Sequence, residues 1–357
     1  RRYDYPEQMM AHGIGIRELD FGSSAGSAGF HDLMATPTIV AAQEGSEHRS
    51  MPSPVLTAPG GEPRAGAGDR LELLFEETAR RFEARDAVVT DDRVWSYREI
   101  DERANQVARV LIGAGVRPGD RIGLLLDRTV ETYVGLLAVM KAKAAWVPLA
   151  TAFPAERIAY ILEDAAISMV VSISLFEARL AEFDLPVVLL DRIEDRIAAE
   201  VSTPLGAEEV GQPIDRICYI LYTSGTTGNP KGVVIEHPSI CNFVRVAAEC
   251  YGYRSDDRVY QGMTIAFDFS VEEIWVPFMA GSAIVPGPAG MTLLGEELAE
   301  FLRSRRITCM ACSPTLLSTI ESDVPLLRIL LVGGEACPQN LVARWYRAGR
   351  RILNSYG

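Results

Sequence analysis

Residues 217 to 232 read ICYILYTSGTTGNPKG. The run from Ile217 to Tyr222 is apolar and of strand length; Thr223, Ser224, Gly225, Thr226, Thr227, Gly228, Asn229, Pro230, Lys231 and Gly232 follow, and a second apolar strand, VVIE, begins at once. Glycines let backbone N–H groups turn inward on a ligand, the hydroxyls of Thr223, Ser224, Thr226 and Thr227 add donors, and Lys231 adds charge. That combination suits phosphate, and a nucleotide polyphosphate is the guest it implies. The loop of the P-loop nucleotidases needs G-x-x-x-x-G-K-[ST] opening into a helix; here Lys231 precedes Gly232 and a strand follows, so that arrangement is excluded. A plain surface hairpin is the other reading, disfavoured because turns seldom gather so many hydroxyls beside one lysine.

Outward from this loop, helical and strand signals alternate from Asp69 onward. LELLFEETARRF is an amphipathic helix, VVTDDRVWSY a hairpin, and Ser96 with Glu99 a capping box opening the helix through ERANQVARVLIG. Strand RIGLLL, helix TVETYVGLLAVMKA, strand AAWVPL, helix AERIAYILEDA and the strands SMVVSI and PVVLL come next. Downstream, Arg328 to Val332 is a strand, Pro338 stands where a first helical residue would, and Gly349 closes that helix before the strand RILN. The pattern predicts an α/β fold, helices packed on mostly parallel sheets. Gly357 follows directly on a strand with no closing helix, which predicts a truncated domain.

Composition bounds what such a domain can do. A chain of 357 residues that is 48% hydrophobic has ample material for a buried core. A net charge of −13 without any Lys/Arg run excludes a general nucleic-acid binder, so an anionic ligand must be captured locally. There is no apolar run long enough to span a membrane and no secretion signal in residues 1 to 21; no membrane partner and a cytoplasmic location are expected. The six cysteines follow no disulfide framework, and the C-x-x-C of Cys309 and Cys312, in the apolar run ITCMACSP, has no second pair or nearby His to make a metal or redox site. Residues 1–67 are rich in Gly, Ser, Ala and Pro and are expected to be a disordered or extension segment, with Met51 a plausible natural start.

With these features in hand, YTSGTTGNPKG resembles the phosphate-binding signature of the adenylate-forming superfamily of acyl-CoA synthetases, luciferases and peptide-synthetase adenylation domains. The resemblance runs from about Asp69 to Gly357, through WSYREID, LLAVMKAKAAWVPL, FDFSVEEIW, LLVGGEACP and NSYG in the family's order. Lys143 and Ala150 depart from the small and acidic residues usual in the second of these motifs, a variation distant from the chemistry. The chain is most similar to the N-terminal part of an amino-acid adenylation domain of a nonribosomal peptide synthetase. Residues 68–357 are then an incomplete large N-terminal subdomain, the C-terminal subdomain being absent.

The family's reaction joins a carboxylate to ATP, giving an acyl-adenylate and pyrophosphate, and then passes the acyl group to a phosphopantetheine thiol on a carrier protein. ATP, Mg2+ and that phosphopantetheine are the implied cofactors; an amino acid and a carrier domain are the implied partners. An α-ammonium held away from water needs an anionic partner. Asp268 matches the family position that binds it, and acyl-CoA synthetases generally lack that residue. Asp268 or Ser270 is also a candidate helix cap, with Glu273 completing a capping box from Ser270, and that plain reading is adopted for Ser270 and Glu273. Glu272, four residues after Asp268 on the same helical face, matches a position lining the side-chain pocket; the alternative is a solvated Glu on a helix surface. The other lining positions carried over are Phe269, Ala311, Leu331, Gly333 and Ser355. An apolar or small lining with one carboxylate suits a basic side chain such as that of lysine or ornithine.

For adenine the resemblance implies Gly333, Gly334 and Glu335 through their backbone, Asn354 for the amino group and Tyr356 for stacking. Read alone, Gly-Gly after a strand is a sharp turn and Tyr356 an ordinary core residue. The family continues past NSYG into a Pro-Thr-Glu whose acid meets magnesium, and into a C-terminal subdomain with the catalytic Lys. Neither lies within these residues, so little or no adenylation by this polypeptide alone is expected. An acyl-CoA ligase of the same superfamily and a non-catalytic nucleotide-binding split chain remain the alternative readings.

Overall fold

The computed structural model describes residues 69–223 and 230–355 in full, and the backbone of Gly15–Glu18 and Tyr356. Two sheets organise these residues. The larger has the strand order β1 (Gly15–Glu18), β14 (Arg351–Tyr356), β13 (Ile329–Gly333), β12 (Cys309–Cys312), β10 (Arg258–Gln261), β11 (Ala283–Pro286), β2 (Asp86–Val89) and β3 (Val94–Ser96). Its strands run parallel from β14 to β2, and β1 and β3 pair antiparallel at the two edges. The smaller has the order β7 (Val187–Leu189), β6 (Ile167–Ser172), β4 (Arg121–Leu125), β5 (Ala145–Pro148), β8 (Ile217–Thr223) and β9 (Lys231–Glu236), parallel except for β9. The α/β fold with mostly parallel sheets is therefore as the alternation predicts. Strand β1 lies inside the stretch expected to be a disordered or extension segment; residues 1–14 and 19–68 are outside the described residues.

Helices connect the strands in chain order: α1 (Leu71–Arg81), α2 (Tyr97–Gly113), α3 (Val130–Lys141), α4 (Ala155–Asp164), the short α5 (Glu177–Leu180), α6 (Glu194–Ala199) and α7 (Ala207–Val210), then α8 (His237–Tyr251), α9 (Ser270–Ala280), α10 (Gly295–Ser304), α11 (Pro314–Thr319) and α12 (Gln339–Trp345). Helix α2 starts with the expected reciprocal cap: Ser96 Oγ accepts from Glu99 N–H at 3.2 Å, and Ser96 N–H donates to the Glu99 carboxylate at 2.8 Å. Helix α9 is apolar around most of its circumference, and Ser270 through Phe278 are all buried. Phe278 meets Phe75 of α1, Tyr97 of α2 and Tyr133 of α3 edge to face, with centroids 5.0, 6.0 and 6.1 Å away. One core cluster joins these rings to Ile122 and Leu124 of β4 and to Ile329 and Leu331 of β13, so the two sheets share their packing.

Two boundary expectations are corrected. Pro338 is the residue before α12 rather than its first helical residue, with extended backbone at ψ 139°. Gly349 does not close that helix: α12 ends at Trp345, and Gly349, at φ 85°, turns the loop into β14. The buried Arg350 takes over there, donating to the carbonyls of Trp345, Leu327 and Val324. Cys309 and Cys312, three apart on β12, face different core clusters on opposite sides of the sheet and cannot share a metal.

Candidate functional site

The hairpin expected from the flanking strands forms. β8 and β9 pair antiparallel out to Thr223 opposite Lys231, so the two ends of the loop stand side by side, and both side chains are exposed. Ser224, Gly225, Thr226, Thr227 and Gly228, on which the phosphate reading also rests, lie outside the described residues.

The other expected positions gather at the carboxyl ends of β12, β13 and β14, where parallel α/β sheets present their binding crevices. Register aligns Ala311 with Leu331, Leu331 with Leu353, and Gly333 with Ser355. Ala311, Leu331 and Ser355 are buried and share one side of the sheet with Phe269, the residue before α9. Gly333 has no room for a side chain: a Cβ there would stand 2.8 Å from the Ser355 carbonyl oxygen and 3.2 Å from the Phe269 ring. Gly334 follows at φ +81°, a backbone that glycine adopts without strain, and it is exposed.

Beyond that turn, Glu335 is exposed, and its carboxylate accepts from the N–H and hydroxyl of Thr315 in the first turn of α11. Asn354, half-buried on β14, has a buried Oδ1 that finds no partner among the described residues. Tyr356 is a strand residue paired with Gly15, and its side chain lies outside the described residues.

The acidic segment differs from the plain reading in a definite way. Neither Asp268 nor Ser270 caps α9: the cap position is Phe269, and no side chain bonds the first-turn N–H groups. Glu273 does not reach Ser270. Its Oε2 accepts from the backbone N–H of Gly262 and Met263 at 3.1 and 2.9 Å and from Gln261 Nε2 at 3.2 Å, clamping the loop after β10 to α9. The physical reason is that Ser270 is itself buried inside the helix, while the loop ahead of it presents unpaired donors. Glu273 Oε1 is buried without a partner among the described residues, and burial pushes the carboxyl up to about 8.

Glu272 is no solvated surface residue; it is 4% exposed. Its Oε2 accepts from the Tyr251 hydroxyl at 2.5 Å and its Oε1 from the Ser355 hydroxyl at 3.2 Å. Burial, helped by the charge of Asp268, raises it to about 7. Asp268 is exposed one turn earlier, and its Oδ1 accepts from the N–H of Phe269. The charge of Asp268 also helps, after burial and Cys218, to raise the Tyr219 hydroxyl on β8. Tyr251, at the end of α8, carried no signal in the sequence: it is 21 residues from Glu272, and only the folded chain brings it there. Among the described residues no cluster of three or more His, Cys, Asp or Glu could hold a metal ion.

These residues form an α/β domain of two mostly parallel sheets, with Ala311, Leu331, Gly333 and Ser355 toward the carboxyl ends of strands in the larger and an antiparallel hairpin at the edge of the smaller. The AMP-binding enzyme family model matches residues 75–357, and the chain belongs to that family. It is 38% identical over 288 residues to delta-poly-L-ornithine synthetase of Acinetobacter baumannii (strain AB307-0294), covering 80% of this chain and 21% of that protein. Among solved structures it resembles the AMPPNP-bound form of the nonribosomal peptide synthetase FmoA3 (S1046A), with TM-score 0.71 and 29% identity over 82% of this chain and 32% of that one. It also resembles the N-terminal subdomain of NpsA from Klebsiella oxytoca in complex with 3-hydroxybenzoyl-AMSN, with TM-score 0.72 and 26% identity over 84% of this chain and 74% of that one. The fold is that of an N-terminal adenylation subdomain, and the chain spans about a fifth of the curated relative named here.

Proposed function

We propose that this chain is the ATP- and amino-acid-binding part of an amino-acid-activating enzyme, selective for a basic side chain such as that of lysine or ornithine. The observation that carries the reading is the pair of carboxylates on one helix: Asp268 exposed at its start and Glu272 buried four residues later against Ser355 of β14. Asp268 takes the α-ammonium, and Glu272 ends the side-chain pocket lined by Phe269, Ala311, Leu331 and Gly333. Thr223 and Lys231, facing each other across the hairpin, hold the phosphates together with Ser224, Gly225, Thr226, Thr227 and Gly228. Adenine lies along Gly333, Gly334 and Glu335, where Asn354 Oδ1, without a partner among the described residues, is an acceptor suited to its amino group; Tyr356 stacks on the ring.

The substrate carboxylate oxygen attacks the α-phosphorus, an acyl–O–P bond forms, and the bond to the pyrophosphate leaving group breaks. Lys231 offsets charge that builds on the phosphoryl oxygens. Loop donors keep the phosphates oriented for that attack. The aminoacyl group then passes to a carrier-protein phosphopantetheine thiol: sulfur attacks the carbonyl carbon, a thioester forms and AMP leaves. Mg2+ would accompany ATP and supply charge against its phosphate oxygens. The likeness to an ornithine polymer synthetase supports the basic side chain, as does the charge of Glu272 at a pocket end that is otherwise apolar or small.

Calorimetric titration of the chain with L-lysine, L-ornithine and L-norleucine in the presence of a non-hydrolysable ATP analogue tests the reading. Tighter binding of the two cationic amino acids is expected. Glu272→Ala should erase that preference by roughly tenfold to a hundredfold, the worth of one charge-assisted hydrogen bond. Binding of fatty acids in place of amino acids would sink the amino-acid assignment, and an unchanged preference in Glu272→Ala would sink the pocket assignment.

A further inference from the structure

The carboxyl of Glu272 does not project into its pocket unsupported. Tyr251 donates to one oxygen and Ser355 to the other, from two different elements, which fixes the plane of the carboxyl and leaves further lone pairs on each oxygen free to accept. Tyr251 is itself immobilised: it is fully buried, it is the last residue of α8, and its carbonyl accepts from Arg351 Nη1 of β14 at 2.8 Å. The next residue, Gly252, takes φ +70°, and its carbonyl accepts from Arg328. A side chain at 252 would meet the Arg351 guanidinium at 2.8 Å. Two arginines and a left-handed glycine therefore hold this end of α8 where the tyrosine hydroxyl meets Glu272.

We propose that Tyr251 is a specificity-positioning residue: by holding the Glu272 carboxyl in one orientation and favouring its ionised form, it makes the pocket select a terminal ammonium over an uncharged side chain of equal length. This rests on the basic-side-chain reading above. The ionisable groups facing Glu272 are Asp268 on its own helix and the tyrosines 251 and 253 that follow from α8; Ser355 contributes a neutral donor. Burial first, and Asp268 last, disfavour the carboxylate, and the two hydroxyl donors favour it. Preference for a cation should therefore strengthen as pH rises through about 7, where Glu272 ionises. Removing the Tyr251 hydroxyl takes away one of the contributions that lower the carboxyl, so the midpoint moves upward.

The experiment is calorimetric titration of the full 357-residue chain with L-ornithine, L-lysine and L-norleucine, beside a non-hydrolysable ATP analogue, from about pH 6 to about pH 8.5. Tyr251→Phe is compared with wild type and with Tyr253→Phe, which removes a buried hydroxyl of the same aromatic pair that bonds no described residue. Circular dichroism and analogue affinity show whether each variant is folded. The expected result is a cationic-over-norleucine preference reduced about tenfold or more in Tyr251→Phe, with a midpoint raised by about one pH unit, and both retained in Tyr253→Phe. A wild-type preference that survives Tyr251→Phe with the same midpoint overturns the role of Tyr251 alone, as does an equal loss in Tyr253→Phe. A wild type that does not distinguish ornithine or lysine from norleucine overturns the basic-side-chain reading first and this inference with it.

Discussion

Gly333 illustrates how closely the end of β13 is packed. The Phe269 ring and the Ser355 carbonyl close over it so tightly that even a methyl group would need one of them to move. Overpacking of this kind costs typically 1–3 kcal/mol. Gly333→Ala should lose about that much in urea unfolding and also weaken amino-acid binding, since Phe269 and Ser355 both line the proposed pocket. Wild-type stability together with wild-type affinity would show that the strand end relaxes freely. The sequence already signalled this glycine as the start of a sharp turn. What it did not contain was the identity of the two groups facing it, which come from residues 64 positions upstream and 22 downstream.

At the scale of elements, Glu273 joins a helix to a loop. Its folded-state carboxyl is raised to about 8 from the ordinary 4.5. The unfolded chain therefore releases the proton first, and the stability this group contributes is full below about pH 4.5 and is lost as pH rises toward about 8. The slope is at most about 1.4 kcal/mol per pH unit. Glu273→Gln removes that titration while keeping an oxygen for the Gly262 and Met263 donors. Thermal unfolding should show the variant gaining on wild type between pH 5 and 8, and a Tm difference independent of pH would contradict the assignment. The expected Ser270–Glu273 cap failed because i,i+3 spacing cannot reveal that a loop from β10 offers stronger need for the same carboxylate. The Ser96–Glu99 cap, with the same spacing, formed because its helix start is half-exposed and Arg93, the other donor to Glu99, bonds Oε1 and leaves Oε2 to the Ser96 N–H.

For the molecule as a whole, Phe278 is the meeting point of α1, α2, α3 and α9 in the core that serves both sheets. Phe278→Ala should cost about 3–5 kcal/mol. It should lower the unfolding midpoint of both sheets together, read by Trp146 on β5 of one and by circular dichroism for the whole. Loss of structure in a single sheet would mean the two are energetically separate.

Local pattern was enough for the alternation of helices and strands, the β8–β9 hairpin and the placing of carboxylates at 268 and 272 one turn apart, because each depends on residues within a few positions of one another. The partners that give those carboxylates their chemistry were decided by strand order and helix docking. Tyr251 and Ser355 lie 21 residues before and 83 after Glu272, and neither spacing has a local signature. Burial, which sets whether a carboxyl is a solvated charge or a buried acceptor that titrates near neutrality, is likewise a property of the assembled core. The sequence determined that an acid stands at 272; tertiary structure alone decided that it is dry and held from two sides.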